Sequence, residues 1–256
     1  MQIVIIGSGN VATIFAKQLH SNNNTIVQII ARNPISGKAL AEKVNATFVS
    51  DYNHINKNAD AYIISVQDDS LPIVAQQLEN ILPQNALVIH TTGSASINVL
   101  KKNSSQYGVL YPLQSLRKEN TTITNIPLFL DGNTPDALEK IELLAKSISP
   151  KIAFANDEQR IKLHIAAVFV SNFPNYLYTL ADAFCKEQHI DFSFLLPLME
   201  ESVHRLHQFS PKAIQTGPAA RGDISTINKH KEILQKEKPE LLEVYSFLTE
   251  KIVSQL

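Results

Sequence analysis

Several short segments of this 256-residue chain combine chemically capable side chains with a backbone that can present them. The first is Gly7-Ser8-Gly9-Asn10-Val11-Ala12, which directly follows the apolar, β-branched run Gln2-Ile3-Val4-Ile5-Ile6. A buried strand leading into Gly-x-Gly-x-x-Ala suits a dinucleotide pyrophosphate, because backbone N–H groups at a helix N-terminus attract an anion. Gly7 permits the tight turn, Gly9 removes the Cβ that would block the phosphates, and Ala12 lets the helix pack closely on the strand. Next come His90-Thr91-Thr92-Gly93-Ser94 and Tyr111-Pro112-Leu113-Gln114-Ser115, each at the end of an apolar run. They offer an imidazole, hydroxyls and a carboxamide where ligands of open α/β sheets bind, beyond the carboxyl ends of the strands. His164 shares a face with Ile161, Ile165 and Val168, and Ser171, Asn172 and Asn175 continue it as a polar line. Burying such a line without partners costs ~1–3 kcal/mol per group, so it calls for a cleft, a neighbouring subunit or a ligand. Finally, Gly217, Pro218 and Gly222 interrupt a helical region and place Thr216, Arg221 and Asp223 on a loop.

The nucleotide is read from the end of the second strand. An NAD site usually has an acid there to accept hydrogen bonds from the ribose hydroxyls. This chain has Ala31-Arg32-Asn33. A guanidinium pairs with a 2′-phosphate through parallel hydrogen bonds, whereas an acid repels it. Arg32 therefore points to NADP, with Asn33 and Ser36 as neutral donors. Val66 and Gln67 follow the next strand and should border the cofactor ribose, with Asp69 or Ser70 capping the helix after them. Thr91 falls where the nicotinamide end should lie.

The elements that must position these residues alternate. Apolar runs at 3–6, 26–31, 47–49, 61–66, 87–90, 108–111, 127–131 and 152–155 read as strands. Helical spacing covers 10–20, 36–44, 71–79 and 135–148. This is the pattern of βαβ units and a parallel sheet. From Asp157, expected as a helix N-cap, the pattern is helical to the end, with a kink or break at Pro174 and further helices over 193–206 and 239–253. The expected division is a dinucleotide-binding domain over 1–152 and an all-helical substrate and dimerisation domain over 153–256. Asn120–Thr124 is polar and reads as a surface loop.

Composition narrows the function. A net charge of −1 creates no field for nucleic acid or an acidic membrane. One cysteine, Cys185, excludes an internal disulfide framework and a multi-thiolate metal site. His204 and His207 lie three apart beside Glu200 and Glu201, which a solvated helix face explains more simply than a metal. No apolar run approaches the ~18 residues of a membrane span and no secretory signal precedes the first strand, so a soluble cytoplasmic protein is expected.

On these residues, above all Thr216-Gly217-Pro218-Ala219-Ala220-Arg221-Gly222-Asp223, the chain resembles a family with a Rossmann-like domain joined to a domain of unknown function, DUF2520. More distantly it resembles the superfamily of pyrroline-5-carboxylate reductase, ketopantoate reductase, 6-phosphogluconate dehydrogenase and deazaflavin-dependent NADP oxidoreductases. The resemblance implies a Rossmann NADP-binding domain followed by an all-helical domain that often dimerises. One departure matters. Several distant relatives use a helix Lys with an Asn one turn later, but Lys162 is followed at that spacing by Ala166. Their catalytic residues do not carry over.

The leading expectation is an NADPH-dependent reductase of a small carbonyl or imine. His164 is the first choice of proton donor, because imidazole titrates near neutral pH. His90 is the alternative, and Asn172, Gln114, Thr216 and Arg221 would position the substrate. A second version exchanges hydride with a deazaflavin or flavin and needs no protein proton donor. The rival from another class is a non-catalytic NADP-binding sensor or regulator, since fold alone does not establish chemistry.

Overall fold

The computed structural model describes residues 1–119 and 125–254; the expected loop at 120–124 lies outside them. Strand β1 (Gln2–Ile6) is apolar on both faces because it is covered on both. Ile3 and Ile5 enter one core layer with Phe15, Leu19 and Ile63, whereas Val4 and Ile6 enter another with Tyr62, Leu71 and Leu78. Such a strand reads as a continuous hydrophobic run rather than an alternating one. Around it lie β2 (Thr25–Ile30), β3 (Thr47–Val49), β4 (Ala61–Ile64), β5 (Leu87–His90), β6 (Gln106–Pro112), β7 (Leu128–Gly132) and β8 (Ile152–Phe154). Their order in the sheet is β3-β2-β1-β4-β5-β6-β7-β8. After β3 the chain crosses to the other side of β1, so the β1/β4 boundary is where the strand order reverses. Crevices at such a point bind ligands.

The helices α1 (Asn10–Ser21), α2 (Pro34–Lys43), α3 (Leu71–Leu78) and α4 (Pro135–Ile148) supply the covering layers. The sheet is not wholly parallel: β7 runs antiparallel to β6. Among the described residues of the connection between them there is no crossover helix of the kind a parallel pair needs. One other local expectation, the Asp157 cap, is corrected, and two are refined. Ser70 occupies the N-cap of α3 without a side-chain bond, and Asp68–Ser70 form a 3-10 turn ahead of it. Helix α5 (Asp157–Ala167) is capped by Asn156, not Asp157: Asn156 accepts from Gln159 N while Gln159 Oε1 accepts from Asn156 N. The chain around Pro174 does not break. A π turn at Val168–Asn172 precedes α6 (Phe173–Glu187), widening the helix where the proline ring would meet a carbonyl one turn back.

The described chain forms two compact units, Met1–Asn172 and Phe173–Leu256. Compactness thus groups α5 and the π turn with the sheet, although the change to helical pattern comes earlier. The second unit contains α6, α7 (Leu196–Arg205), α8 (Pro218–Arg221), α9 (Ile224–Glu237) and α10 (Pro239–Val253). Residues 218–221, read from sequence as loop, form a single helical turn between Gly217 and Gly222, both at positive φ. Asp223 caps α9 by accepting from Thr226 N. Among the described residues no helix is long and apolar enough to cross a membrane.

Candidate active site

A cavity of ≈ 580 Å³ opens at the carboxyl ends of β1, β2, β4, β5 and β6, within the first unit. Its floor is the turn after β1. Gly7 adopts φ +126°, and a Cβ there would lie 2.1 Å from the Ser65 carbonyl oxygen, so only glycine fits between β1 and β4. Gly7 N donates to Ile30 O at 2.8 Å, tying the turn to β2 as well. Gly9 differs. Its backbone is ordinary extended chain, and a Cβ on it would meet nothing within 4 Å. It stands at the N-cap of α1 with no side chain to satisfy the first-turn N–H groups, which leaves them for a ligand. Ala12 is fully buried beneath the turn, and Ser8, Asn10 and Val11 line the cavity.

Beyond β2, the exposed Arg32 lines the same cavity. Asn33 caps α2, its Oδ1 accepting from Ile35 N at 3.0 Å and Ser36 N at 3.2 Å. Ser36 Oγ pairs with Ser8 Oγ at 2.7 Å, so the glycine turn and the start of α2 are linked. Asn33 and Ser36 thus already serve the protein. Val66, Gln67 and Thr91 line the middle, and Thr91 Oγ1 donates to Ser65 Oγ at 3.2 Å.

The far side is built on Tyr111, at the end of β6, and His164, on α5. Tyr111 Oη lies 3.1 Å from His164 Nδ1, with the rings edge-to-face at 6.3 Å between centroids. Burial and then the charge of Asp68 push the Tyr111 phenol above its ordinary pKa, which keeps it protonated. Gly93 makes the pair possible. A Cβ at that position would stand 2.8 Å from the Tyr111 ring and 3.0 Å from His164 Nδ1. Asp68 accepts a hydrogen bond from Ser94 Oγ, and Gln114 lines the wall nearby.

His90 is fully buried beneath this loop and does not line the cavity. Its Nδ1 lies 3.3 Å from both Thr92 N and Thr92 Oγ1, while Nε2 has no hydrogen-bond partner among the described residues. Burial, then the nearby Arg160 guanidinium, lowers its pKa to about 3. The imidazole is thus neutral and enclosed behind the cavity wall, where the sequence had offered it as the alternative proton donor. Arg160 explains much of the local order. Only 1% exposed, its Nη2 donates to Asp157 Oδ1 and to Ala95 O, both at 2.6 Å. Asp157 Oδ1 also accepts from Ile97 N at 3.0 Å. Partial burial opposes ionisation of Asp157, but hydrogen bonds from Ser96, Ile97 and Arg160 hold its pKa below the ordinary value. This node pins α5 to residues 95–97, and His164 follows Arg160 by one helical turn on the same face.

The sequence-derived residues therefore divide. Gly7, Ser8, Gly9, Asn10, Val11, Arg32, Asn33, Val66, Gln67, Thr91, Gln114 and His164 line one cavity. Ala12 and His90 lie behind it, Asn172 is exposed in the π turn, and Thr216 and Arg221 belong to the second unit. Sequence reasoning assigned no role to Tyr111, Asp68 or Arg160. Tyr111 stands at a strand's carboxyl end, a signal that was available. Arg160 gave none, since an arginine on a polar helix face ordinarily reads as solvated.

Residues 126–252 match the family model described as a domain of unknown function (DUF2520), and residues 2–93 match the model for NADP oxidoreductase, coenzyme F420-dependent. Among solved structures, the "putative NADP oxidoreductase BF3122" of Bacteroides fragilis is 35% identical with a TM-score of 0.92, covering 99% of this chain and 98% of that one. Protein TM1727 of Thermotoga maritima is 22% identical with a TM-score of 0.72, covering 98% and 96%. A reductive aminase of Aspergillus terreus, solved with NADPH and ethyl-5-oxohexanoate, is 13% identical with a TM-score of 0.71, covering 99% and 94%. Among curated proteins none matches.

Proposed function

The chain belongs to the DUF2520 family of NADP oxidoreductases, and from that premise we propose an NADP(H)-dependent reductase of a small carbonyl or imine. One observation carries the reading: a single cavity is lined by a glycine turn and Arg32 after β1 and β2 and by a hydrogen-bonded Tyr111–His164 pair beyond them. The residues fit the nucleotide. Gly9 leaves open space over an uncapped helix N-terminus, where a pyrophosphate finds N–H donors. Arg32 supplies a guanidinium for the 2′-phosphate. Bound there, a reduced nicotinamide supplies the hydride.

The chain's own residues then manage the proton. Tyr111 and His164 share a hydrogen bond, so a proton given to substrate from one can be replaced from the other. His90 stays neutral and supports the turn at Thr92. Gln114, on the cavity wall, positions the substrate in this proposal. His164→Gln should lose turnover while NADPH binding survives; unchanged turnover removes His164 from the mechanism. The match of residues 2–93 to a model of coenzyme F420-dependent enzymes favours one second reading, hydride exchange with a deazaflavin. Assays with a carbonyl, an imine and a deazaflavin acceptor separate the two, and binding without any turnover supports a sensor.

The proposal includes a homodimer formed by the helical unit. Among its described residues only Cys185, Ala219 and Ile227 are buried apolar side chains, while Phe173, Tyr176, Phe194, Leu198 and Phe247 are each more than half exposed. So much exposed apolar surface marks an interaction face. A second copy supplies the matching face by symmetry. Sedimentation analysis giving a monomer at micromolar concentration would exclude this.

A further inference from the structure

Among the described residues lining the cavity, Arg32 and Asp68 are the formally charged side chains besides His164, and Asp68 is the one on the Tyr111–His164 side. Arg32 follows β2. Asp68 follows β4, bonds to Ser94 in the loop after β5, and, second to burial, its charge raises the Tyr111 phenol above its ordinary pKa. Among the described residues no ion pair neutralises Asp68, and Arg160, whose charge reaches Tyr111, is engaged by Asp157, Asp131 and Ala95 O. Asp68 is exposed, so solvent and the Ser94 hydroxyl satisfy its carboxylate and screen its charge without cancelling it.

We propose that this site selects a substrate whose reacting nitrogen is cationic, an imine protonated to an iminium, and that Asp68 is the residue that selects it. The inference rests on reading the cavity as an NADP(H)-dependent reductase site. A substrate carboxylate at this position would meet like charge, which interfaces use to exclude wrong partners. The proton balance is complete. The imine nitrogen takes a proton from the Tyr111–His164 pair, and Asp68 offsets the positive charge so formed. The iminium carbon then accepts hydride with its electron pair, and the C=N π pair becomes the nitrogen lone pair of the product amine. Solvent returns the proton to the pair. Positive charge disappears as the hydride arrives, so Asp68 stabilises the bound iminium more than the transition state. Its removal should therefore act mainly on KM.

The test first measures NADPH affinity of wild type, Asp68→Asn and Asp68→Glu by fluorescence. Initial rates of NADPH oxidation then compare 1-pyrroline, cyclohexanone and pyruvate: an imine that becomes cationic on protonation, a neutral ketone and an anionic keto acid. The expected result is preference for 1-pyrroline in wild type, a rise in its KM of about tenfold (~1.4 kcal/mol) in Asp68→Asn, and recovery of most of that loss in Asp68→Glu. Preference for pyruvate, an unchanged KM in Asp68→Asn, or binding of NADPH with no reduction of 1-pyrroline overturns the selection by Asp68. Failure of wild type to bind NADPH overturns instead the reading on which it rests.

Discussion

Gly9→Ala separates binding from folding more sharply than any other single change at the turn after β1. The added methyl meets no atom of the described residues within 4 Å, and the backbone is in a region open to every residue. Two small effects on stability oppose each other. Alanine lowers unfolded-chain entropy by ~0.4–1 kcal/mol, and it is a poorer N-cap than glycine by a similar amount. The fold should therefore change by less than ~1 kcal/mol. Binding should suffer, because the methyl stands where a pyrophosphate approaches the first-turn N–H groups. Losing one charge-assisted hydrogen bond costs ~1.5–3 kcal/mol, and a weakened interaction with the helix end adds ~0.3–1 kcal/mol. Together these amount to ~2–4 kcal/mol, or about 30- to 700-fold in NADPH affinity. Gly7→Ala provides the contrast. Its methyl would lie 2.1 Å from a carbonyl oxygen of the sheet, at φ +126°, so the loss should appear in stability, by ~3 kcal/mol or more. Urea unfolding and calorimetric titration read both quantities. A Gly9→Ala protein that binds NADPH like wild type, or a Gly7→Ala protein as stable as wild type, would refute the reasoning.

Arg32→Ala should weaken NADPH binding by about tenfold and leave NADH binding nearly unchanged, since the side chain is exposed and its pairing partly screened; competition titrations check this. His90, at about 3 in the fold against 6.5 for the free group, makes stability depend on pH. Below pH 6.5 the unfolded chain takes up a proton that the folded chain refuses, so stability falls with pH by up to ~1.4 kcal/mol per unit down to about 3. Urea midpoints between pH 6.5 and 5 should slope less in His90→Asn than in wild type, and parallel slopes would contradict the buried neutral imidazole. Tyr111→Phe should fold normally, because only the hydroxyl is lost, yet shift the Nδ1 resonance of His164 in nitrogen-15 spectra. An unmoved resonance would show that the two do not share a proton in solution.

Much of the sheet was legible because burial on both faces leaves continuous apolar runs, as at Ile3–Ile6 and again at Ala61–Ile64. The direction of β7 was not, since strand polarity depends on which neighbour it pairs with and its own residues are compatible with either. Helix α9 passed unnoticed because its single buried side chain, Ile227, lies among polar residues, so no apolar stripe marks the helix, which packs on its neighbours α8 and α10. At the site, glycines and strand ends carried the signal, so the Gly7–Ala12 turn and Arg32 could be read directly. His90 could be read only by position: it follows β5 as chemistry would require, but only packing shows that it is enclosed next to a cation. Tyr111 and His164 lie 53 positions apart, and no local pattern announces a hydrogen bond between them.

The central claim is that the crevice between β1 and β4 takes a phosphorylated pyridine nucleotide. Calorimetric titration of the purified wild-type protein with NADPH, then with NADH, tests it most directly. The account predicts saturable one-site binding of NADPH and at least ~tenfold weaker binding of NADH, the share expected from one guanidinium–phosphate pair. No heat from NADPH, or equal affinity for the two, would contradict it.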